Sequence, residues 1–298
     1  MMPSTGTVVA LQRAGLNPAA VWRVAQAALE EDLAGGVDVT SVATVPATAV
    51  GTALLVARGS GVLAGVPVAV AVFEAAAAGV TSREFAQDGD VVQAGQAVLE
   101  MRGPVRALLT AERSALNLLC HLSGVATLTR AWVEALAGTG AQVRDTRKTL
   151  PGLRELEKYA VRCGGGVNHR MGLSDAALVK DNHVLAAGGV AEAFEAVRRL
   201  FPGVPVEVEC DTVEQVRAVL EAGADLLLLD NMTPETLREA VALCRERGVL
   251  TEASGGLTLA SAGEVAATGV DYLAVGALTH SAPVLDIGVD LVVEEGGS

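Results

Sequence analysis

Residues 204–230 read VPVEVECDTVEQVRAVLEAGADLLLLD, and they indicate the fold class more clearly than any other part of the chain. It contains two short apolar segments, Val204–Glu209 and Asp225–Asp230. Between them, Val213–Ala222 repeats apolar residues at the spacing of one helix face. Near-continuous apolar strands that alternate with amphipathic helices are typical of a parallel sheet covered by helices. The stretch therefore predicts one β-α-β unit of an α/β domain.

The same alternation extends over the second half of the chain. Further strands are predicted at Gln142–Arg147, Ala176–Lys180, Val249–Ala253 and Asp271–Val275, and further helices at Val190–Leu200, Pro234–Glu246 and Leu259–Ala267. Nearly every strand ends in a polar or glycine residue. In an α/β barrel all these ends converge on one mouth, whereas an open sheet gathers only those beside its switch point. With six clear strands, an incomplete barrel fits better than a closed one of eight.

The first half of the chain mixes element types and predicts a smaller α/β domain. Its helices are expected at Pro18–Leu33 and Ala69–Ala78, and its strands at Gly51–Arg58, Val91–Val92 and Ala97–Met101. A long helix should follow over Thr110–Ala137, with a break at Ser123–Gly124.

Composition excludes several classes of protein. Hydrophobic residues make up 51% of the 298 residues, and the net charge of −13 argues against nucleic acid and anionic membranes as partners. Neither a signal peptide nor a membrane span is expected. The four cysteines form no CxxC motif, which argues against zinc and favours free thiols in the cytoplasm.

The residues at the predicted mouth form a chemically coherent set. The cationic members are Arg147, Lys148, His169, Arg170 and Lys180, the acidic ones Glu209 and Asp230, and the loop residues Ser254, Gly255, Gly256 and Gly276. Guanidinium groups bind carboxylates bidentately, two carboxylates beside phosphates suit Mg²⁺, and glycine N–H groups bind phosphate. The set predicts a substrate with carboxylates, phosphates and a metal. Taken singly, Glu209 and Asp230 could instead cap the helices that follow them.

Three other histidines are weaker candidates. His121 lies on an apolar helical stretch and is interpreted as a packed core residue. His280 follows the last strand, where it could help to close a phosphate site, and His183 is given no role.

Seven segments together resemble the quinolinate phosphoribosyltransferase family. They are TAERSALNLLCHLSG from Thr110, DTRKTLPGLR from Asp145, GGGVNHRMGLSDAALVKDNH from Gly164, EVE from Glu207, LLDNM from Leu228, EASGG from Glu252 and DYLAVGALTHS from Asp271. The likeness runs from about Ala27 to Asp290, which is nearly the whole chain.

The resemblance implies the type II phosphoribosyltransferase fold. An N-terminal α/β sandwich domain would span residues 1–119 and be joined by the C-terminal tail 282–298, and an incomplete barrel would span 120–281. The subunit would form a homodimer or a larger assembly of dimers. Quinolinate and 5-phosphoribosyl 1-diphosphate would react with Mg²⁺ present, giving nicotinate mononucleotide, pyrophosphate and CO₂ in NAD biosynthesis.

The resemblance also implies a role for each matching residue. Thr146, Arg147, His169 and Arg170 would bind quinolinate, together with Arg113 from the partner subunit. Lys148 and Lys180 would contact the carboxylates and the diphosphate, and Glu209 and Asp230 would hold the ribose hydroxyls and Mg²⁺. Ser254, Gly255, Gly256, Gly276 and Ala277 would cradle the 5-phosphate.

Three alternatives stay open at this point. One is a paralogue with the same fold that acts on another substrate. A second is a Schiff-base aldolase with Lys180 as the nucleophile. The third is a barrel that binds phosphate without catalysis.

Overall fold

In a computed structural model that describes residues 2–294, the chain divides into two compact units. The first unit comprises residues up to Arg130, Leu150–Gly165 and the segment from Ser281 onward, and the second comprises Ala131–Thr149 and Gly166–His280. The segment Leu150–Gly165, which lies inside the range predicted for the barrel domain, is thus grouped with the first unit.

The first unit is built on an antiparallel sheet with helices, and elements are numbered along the chain. Its helices are α1 (Thr5–Arg13), α2 (Pro18–Leu33), α3 (Val39–Thr44), α4 (Val66–Ala76), α5 (Val105–Ala135, counted here up to Arg130) and α6 (Arg154–Cys163). Its strands are β1 (Val50–Ala57), β2 (Gly61–Val62), β3 (Thr81–Glu84), β4 (Val91–Val92), β5 (Ala97–Pro104) and β12 (Ile287–Val293). The four-stranded sheet has the order β12-β1-β5-β3, and β2 pairs with β4.

Helix α4 lies in the core of this unit because its sequence is almost entirely apolar. Every residue from Val66 to Phe73 is buried, so the helix is apolar on all sides, and it packs against α1 and α2. Pro67 lies in the first turn, where a missing N–H costs no hydrogen bond.

The predicted break at Ser123–Gly124 is wrong, because α5 is continuous from Val105 to Ala135. Gly124 serves close packing instead: a Cβ at this position would lie 2.1 Å from the carbonyl oxygen of Pro283. The Ser123 hydroxyl accepts a hydrogen bond from the Ala64 N–H at 3.0 Å. Gly124 therefore allows Pro283 to approach the helix closely, and Ser123 bonds the helix to Ala64.

The second unit contains the six predicted strands in one parallel sheet. They are β6 (Gln142–Arg144), β7 (Ala177–Val179), β8 (Val206–Cys210), β9 (Leu226–Asp230), β10 (Leu250–Ser254) and β11 (Tyr272–Ala274). Its helices are α7 (Asp181–Ala187), α8 (Val190–Leu200), α9 (Val213–Glu221), α10 (Pro234–Glu246), α11 (Leu259–Ala266) and α12 (Ala277–His280).

The strand order is β6-β11-β10-β9-β8-β7, so the sheet stays open between β6 and β7, where an isolated bridge joins Arg144 to Val167. This is the incomplete barrel that the sequence predicted. None of the helices described is long and apolar enough to cross a membrane.

Candidate active site

A cavity of about 700 Å³ lies at the carboxyl edge of the parallel sheet. Ten of the predicted site residues line it: Thr146, Arg147, Lys148, His169, Arg170, Lys180, Glu209, Asp230, Ser254 and Gly255. They meet there because parallel strands all present their carboxyl ends to the same edge. Each of the six strands contributes to the wall, either through its own residues or through the loop that follows it.

The remaining predicted residues lie outside this lining. Gly276 is nevertheless adjacent to it, since a Cβ on Gly276 would lie 2.8 Å from Cδ of Lys148 and 3.5 Å from Oγ1 of Thr146. Gly256 follows Gly255 and shares its positive φ, and Ala277 begins α12. Arg113 belongs to α5 in the first unit.

Glu209 and Asp230 do not cap the helices that follow their strands. The N-cap residues are Thr212 for α9 and Thr233 for α10, and each side chain accepts a hydrogen bond from the backbone of its own first turn. The helix-cap alternative is therefore excluded, and both carboxylates face the cavity instead.

The two carboxylates have different partners. The Lys180 ammonium donates to Glu209 Oε2 at 2.5 Å, and this ion pair leaves the lysine side chain 47% exposed. The Asp230 carboxylate accepts a hydrogen bond from the side-chain amide of Asn231 at 2.6 Å. The carboxylates of Glu209 and Asp230 offer oxygen ligands from two adjacent strands. Oxygen ligands are the kind that Mg²⁺ prefers.

The opposite wall carries two arginines of like charge. Burial is the main cause that lowers the pKa of Arg170 below its ordinary value, and the positive charge of Arg147 adds to it. The Arg170 guanidinium donates one hydrogen bond to the Ala176 carbonyl at 2.9 Å. The Nε–H of Arg147 is buried and has no hydrogen-bond partner among the described residues. The charges of Asp175 and Glu207 act on Arg170 in the opposite direction, so the clearest place for an anionic ligand is the Nε–H of Arg147.

His169 has both ring nitrogens engaged within the protein. Its Nδ1 accepts from the Arg170 backbone N–H at 2.7 Å, and its Nε2 lies 2.8 Å from Glu207 and 3.4 Å from Glu252. Because Nδ1 accepts, the neutral ring carries its proton on Nε2 and donates it to Glu207. The same tautomer leaves no lone pair on Nε2 for a metal, although His169, Glu207 and Glu252 are close enough together to suggest one.

Glu252 is a buried member of this cluster that sequence reasoning missed. Burial, with the charge of Glu207 as the next cause, raises the pKa of Glu252 to about 7. Its Oε2 accepts from Arg144 at 2.6 Å, and Arg144 in turn stacks over the Tyr272 ring at 4.6 Å. The available signal was a carboxylate inside the apolar strand Val249–Ala253, which is costly without a charged partner.

The remaining histidines lie elsewhere. His121 pairs with the buried Glu157 at 2.8 Å within the first unit, as a packed histidine would. The His183 ring accepts from the backbone N–H of Lys180 at 2.9 Å and so helps to begin α7. His280 Nε2 lies 3.3 Å from the place where a Cβ on Gly276 would be, which sets it beside the predicted phosphate loop.

Fold and cavity together define a phosphoribosyltransferase of the incomplete-barrel type, and the comparisons identify the family. Residues 38–123 match the family description "Quinolinate phosphoribosyl transferase, N-terminal domain", and residues 125–290 match its C-terminal domain. The chain belongs to the quinolinate phosphoribosyltransferase family. The sequence-based predictions of the family and of the fold are confirmed.

Individual relatives agree with this assignment. A nicotinate-nucleotide pyrophosphorylase [carboxylating] of Mycobacterium leprae is 54% identical over 268 residues, covering 89% of this chain and 94% of the relative. The crystal structure of NadC from Streptococcus pyogenes is 41% identical with a TM-score of 0.89, covering 94% of this chain and 99% of that one. Human nicotinic acid phosphoribosyltransferase, at 14% identity and a TM-score of 0.60 over 85% of this chain and 72% of that one, shares the fold alone.

Proposed function

We propose that the chain transfers the phosphoribosyl group of 5-phosphoribosyl 1-diphosphate to the ring nitrogen of quinolinate, with loss of one carboxylate as CO₂. The products are nicotinate mononucleotide and pyrophosphate, on the route to NAD. The observation that carries this proposal is the arginine wall, where the buried Nε–H of Arg147 has no hydrogen-bond partner among the described residues and the charge of Arg147 opposes that of Arg170. A dicarboxylate supplies both negative charge and acceptors to such a pair.

Quinolinate binding is assigned to this wall. Arg147 and Arg170 each take a carboxylate, with Thr146 and Lys148 beside them in the same cavity. His169 completes the group through its hydrogen bond to the Arg170 backbone, since its two ring nitrogens are already engaged. Removal of one carboxylate from the ligand would leave one of the two guanidinium groups without its anionic partner, which is the basis of selectivity for a diacid.

The phosphoribosyl group is assigned to the other wall. Glu209 and Asp230 hold the ribose hydroxyls and Mg²⁺, and Lys148 and Lys180 contact the diphosphate. When bound, Mg²⁺ would neutralise charge on the diphosphate as it leaves. The 5-phosphate lies against Ser254, Gly255, Gly256, Gly276 and Ala277. Gly255 and Gly256 have φ of +91° and +59°, which favours glycine and lets backbone approach the phosphate closely.

The reaction develops charge at three atoms in turn: C1 of the ribose, the nitrogen of the pyridine ring and C2 of that ring. Breaking the bond from C1 to the diphosphate leaves positive charge on the ribose, which Glu209 or Asp230 stabilises. The lone pair of the pyridine nitrogen then forms the new bond to C1. The bond from C2 to its carboxylate breaks next, CO₂ leaves, and C2 takes up a proton. The ring nitrogen, now positively charged, stabilises the electron pair left on C2.

We also propose a homodimer with shared sites, or a larger assembly of dimers, in which Arg113 binds quinolinate in the site of the partner subunit. A two-fold axis would make this exchange reciprocal. The absence of nucleic-acid and membrane partners and a cytoplasmic location stay predictions from charge and composition. Family membership gives no support to the aldolase or to the non-catalytic barrel.

The test is a turnover assay. The purified protein is incubated with quinolinate, 5-phosphoribosyl 1-diphosphate and Mg²⁺, and both CO₂ and nicotinate mononucleotide are measured. We expect the two products in equal amounts and neither of them without Mg²⁺. Mononucleotide without CO₂, or turnover of another acid only, would contradict the proposal.

A further inference from the structure

The residue after β9 has an unusual backbone conformation. Asn231 has φ of +52°, and Ala34, at the end of α2, is the other non-glycine residue with positive φ in the part of the chain that the structure describes. Asparagine tolerates this left-handed region better than most residues. The Asn231 N–H donates to the Ser254 carbonyl at 2.9 Å, so this turn joins the ends of β9 and β10.

The Asn231 side chain fills the space between two proposed binding elements. Its Nδ2 donates to Asp230 Oδ2 at 2.6 Å. Its Oδ1 lies 2.1 Å from the place where a Cβ on Gly255 would be, and Gly255 also has positive φ. A side chain at Gly255 would therefore collide with the amide, and the amide is held between the carboxylate and the phosphate loop.

The two cavity carboxylates are thus held by different chemistry. Glu209 has a flexible, half-exposed cation as its partner, whereas Asp230 has a neutral amide on the adjacent residue, whose backbone is itself tied to β10. A neutral donor orients a carboxylate without neutralising it, so Asp230 keeps its full charge for a ligand. An amide on a fixed backbone also defines the direction of the carboxylate more tightly than a lysine does.

We propose that Asn231 is the positioning residue of the phosphoribosyl half of the site. It orients Asp230 and sets the place of Gly255, so that carboxylate and glycine loop together receive a single ligand, a phosphorylated sugar diphosphate with its divalent cation. The identity of that ligand rests on the proposed function, whereas the positioning role rests on the contacts of Asn231.

Two substitutions separate the backbone role from the amide role. Asn231→Gly keeps the left-handed turn and removes the amide, and Asn231→Ala removes the amide and adds backbone strain. Ala34→Gly is the matched control, since it changes a residue of similar φ in the first unit. We expect Asn231→Gly to raise the KM for 5-phosphoribosyl 1-diphosphate and the Mg²⁺ requirement by about 10- to 100-fold. The KM for quinolinate and the Tm should stay at wild-type values.

Calorimetric titration with 5-phosphoribosyl 1-diphosphate and Mg²⁺ provides a readout besides turnover. We expect the affinity to fall in both Asn231 variants, the Tm to fall in Asn231→Ala alone, and Ala34→Gly to match wild type in binding. Wild-type binding by Asn231→Gly would overturn the proposal, as would an equal loss for both substrates. If wild type binds the diphosphate but does not turn over quinolinate, the proposed function fails and the titrations still decide on Asn231. If wild type binds no diphosphate, both fail.

Discussion

The two walls of the cavity differ in how their charges are balanced. On the side of β8 and β9, each carboxylate already has a partner within the protein, Lys180 for Glu209 and Asn231 for Asp230. On the side of Arg147 and Arg170, the two guanidinium charges repel one another, and the buried Nε–H of Arg147 has no hydrogen-bond partner in the part of the chain that the structure describes. The first wall is organised before any ligand arrives, whereas the second is completed only by an anion. The second wall is therefore the one that selects the acceptor acid.

The largest expected effect concerns that selection. Quinolinate should be used about 10⁴-fold better than nicotinic acid, because the monoacid leaves one guanidinium of the arginine wall without an anionic partner. The measurement is kcat/KM for each acid at saturating diphosphate and Mg²⁺. Comparable values for the two acids would mean that the arginine wall does not read two carboxylates.

The next largest effect concerns the wall that carries Glu209 and Asp230. Glu209→Gln and Asp230→Asn should fold normally but lose activity by about 10² or more, because each removes charge stabilisation at the ribose. Glu214→Gln and Glu235→Gln, in the first turns of α9 and α10, are the matched controls and should keep wild-type rates. If Glu209→Gln and Asp230→Asn retained normal turnover at saturating Mg²⁺, neither carboxylate would belong to the catalytic machinery.

The third prediction tests whether Arg113 of one subunit contributes its charge to the quinolinate site of the partner subunit. Arg113→Ala and Lys180→Ala homodimers should each be nearly inactive. Random exchange makes about half the dimers hybrid, with one intact site each, so roughly one site in four should recover activity.

The control for this experiment is a mixture of Arg113→Ala with the Arg113→Ala/Lys180→Ala double variant, which has no intact site. Subunit exchange is verified by size measurements before and after mixing. No recovery despite verified exchange would show that Arg113 acts in its own subunit or only in folding.

The smallest expected effect is on stability and concerns Glu252, the buried acid near His169. Because burial raises the pKa of Glu252 to about 7, its ionisation opposes folding, and this cost grows as the pH rises from about 4.5 to about 7. Below that range both folded and unfolded chains hold the proton, and the cost is absent. Glu252→Gln should therefore show a flatter dependence of the free energy of unfolding on pH. Denaturant titrations of both proteins at pH 5 and pH 8 measure this, and parallel dependences would contradict it.

The sequence predicted best those elements whose signals are local. Helices α2, α8 and α10 begin and end where expected, because α2 has its cap at Asn17 and α10 at Thr233, and because α8 has a strong apolar face. The sequence did not predict helix α6 because the helix buries Glu157 and Lys158. Its buried face therefore carries charged residues and lacks the apolar pattern that identifies an amphipathic helix. Helix α7, at seven residues, offers too short a pattern to recognise.

The same distinction between local and non-local signals applies to the residues of the candidate site. Parallel-sheet topology alone brings the strand-end residues to one mouth, so Lys180, Glu209 and Asp230 could be predicted from position. Glu252 and Asn231 were missed because their partners are distant in sequence: Glu252 meets Arg144 and His169, and Asn231 meets Gly255. An acid inside an apolar strand signals that Glu252 needs a partner, but the identity of these partners depends on side-chain geometry across the sheet, which no local pattern encodes.

Equilibrium binding decides most directly whether the arginine wall recognises both carboxylates of quinolinate. Quinolinate and nicotinic acid are titrated into the wild type, Arg147→Gln and Arg170→Gln, with Arg217→Ala as a control. Arg217 is an exposed arginine, paired with Glu239, in the same unit. We expect the wild type and Arg217→Ala to bind quinolinate far more tightly than nicotinic acid. Arg147→Gln and Arg170→Gln should lose most of that preference. Undiminished preference in both variants would contradict the claim that this wall reads the two carboxylates.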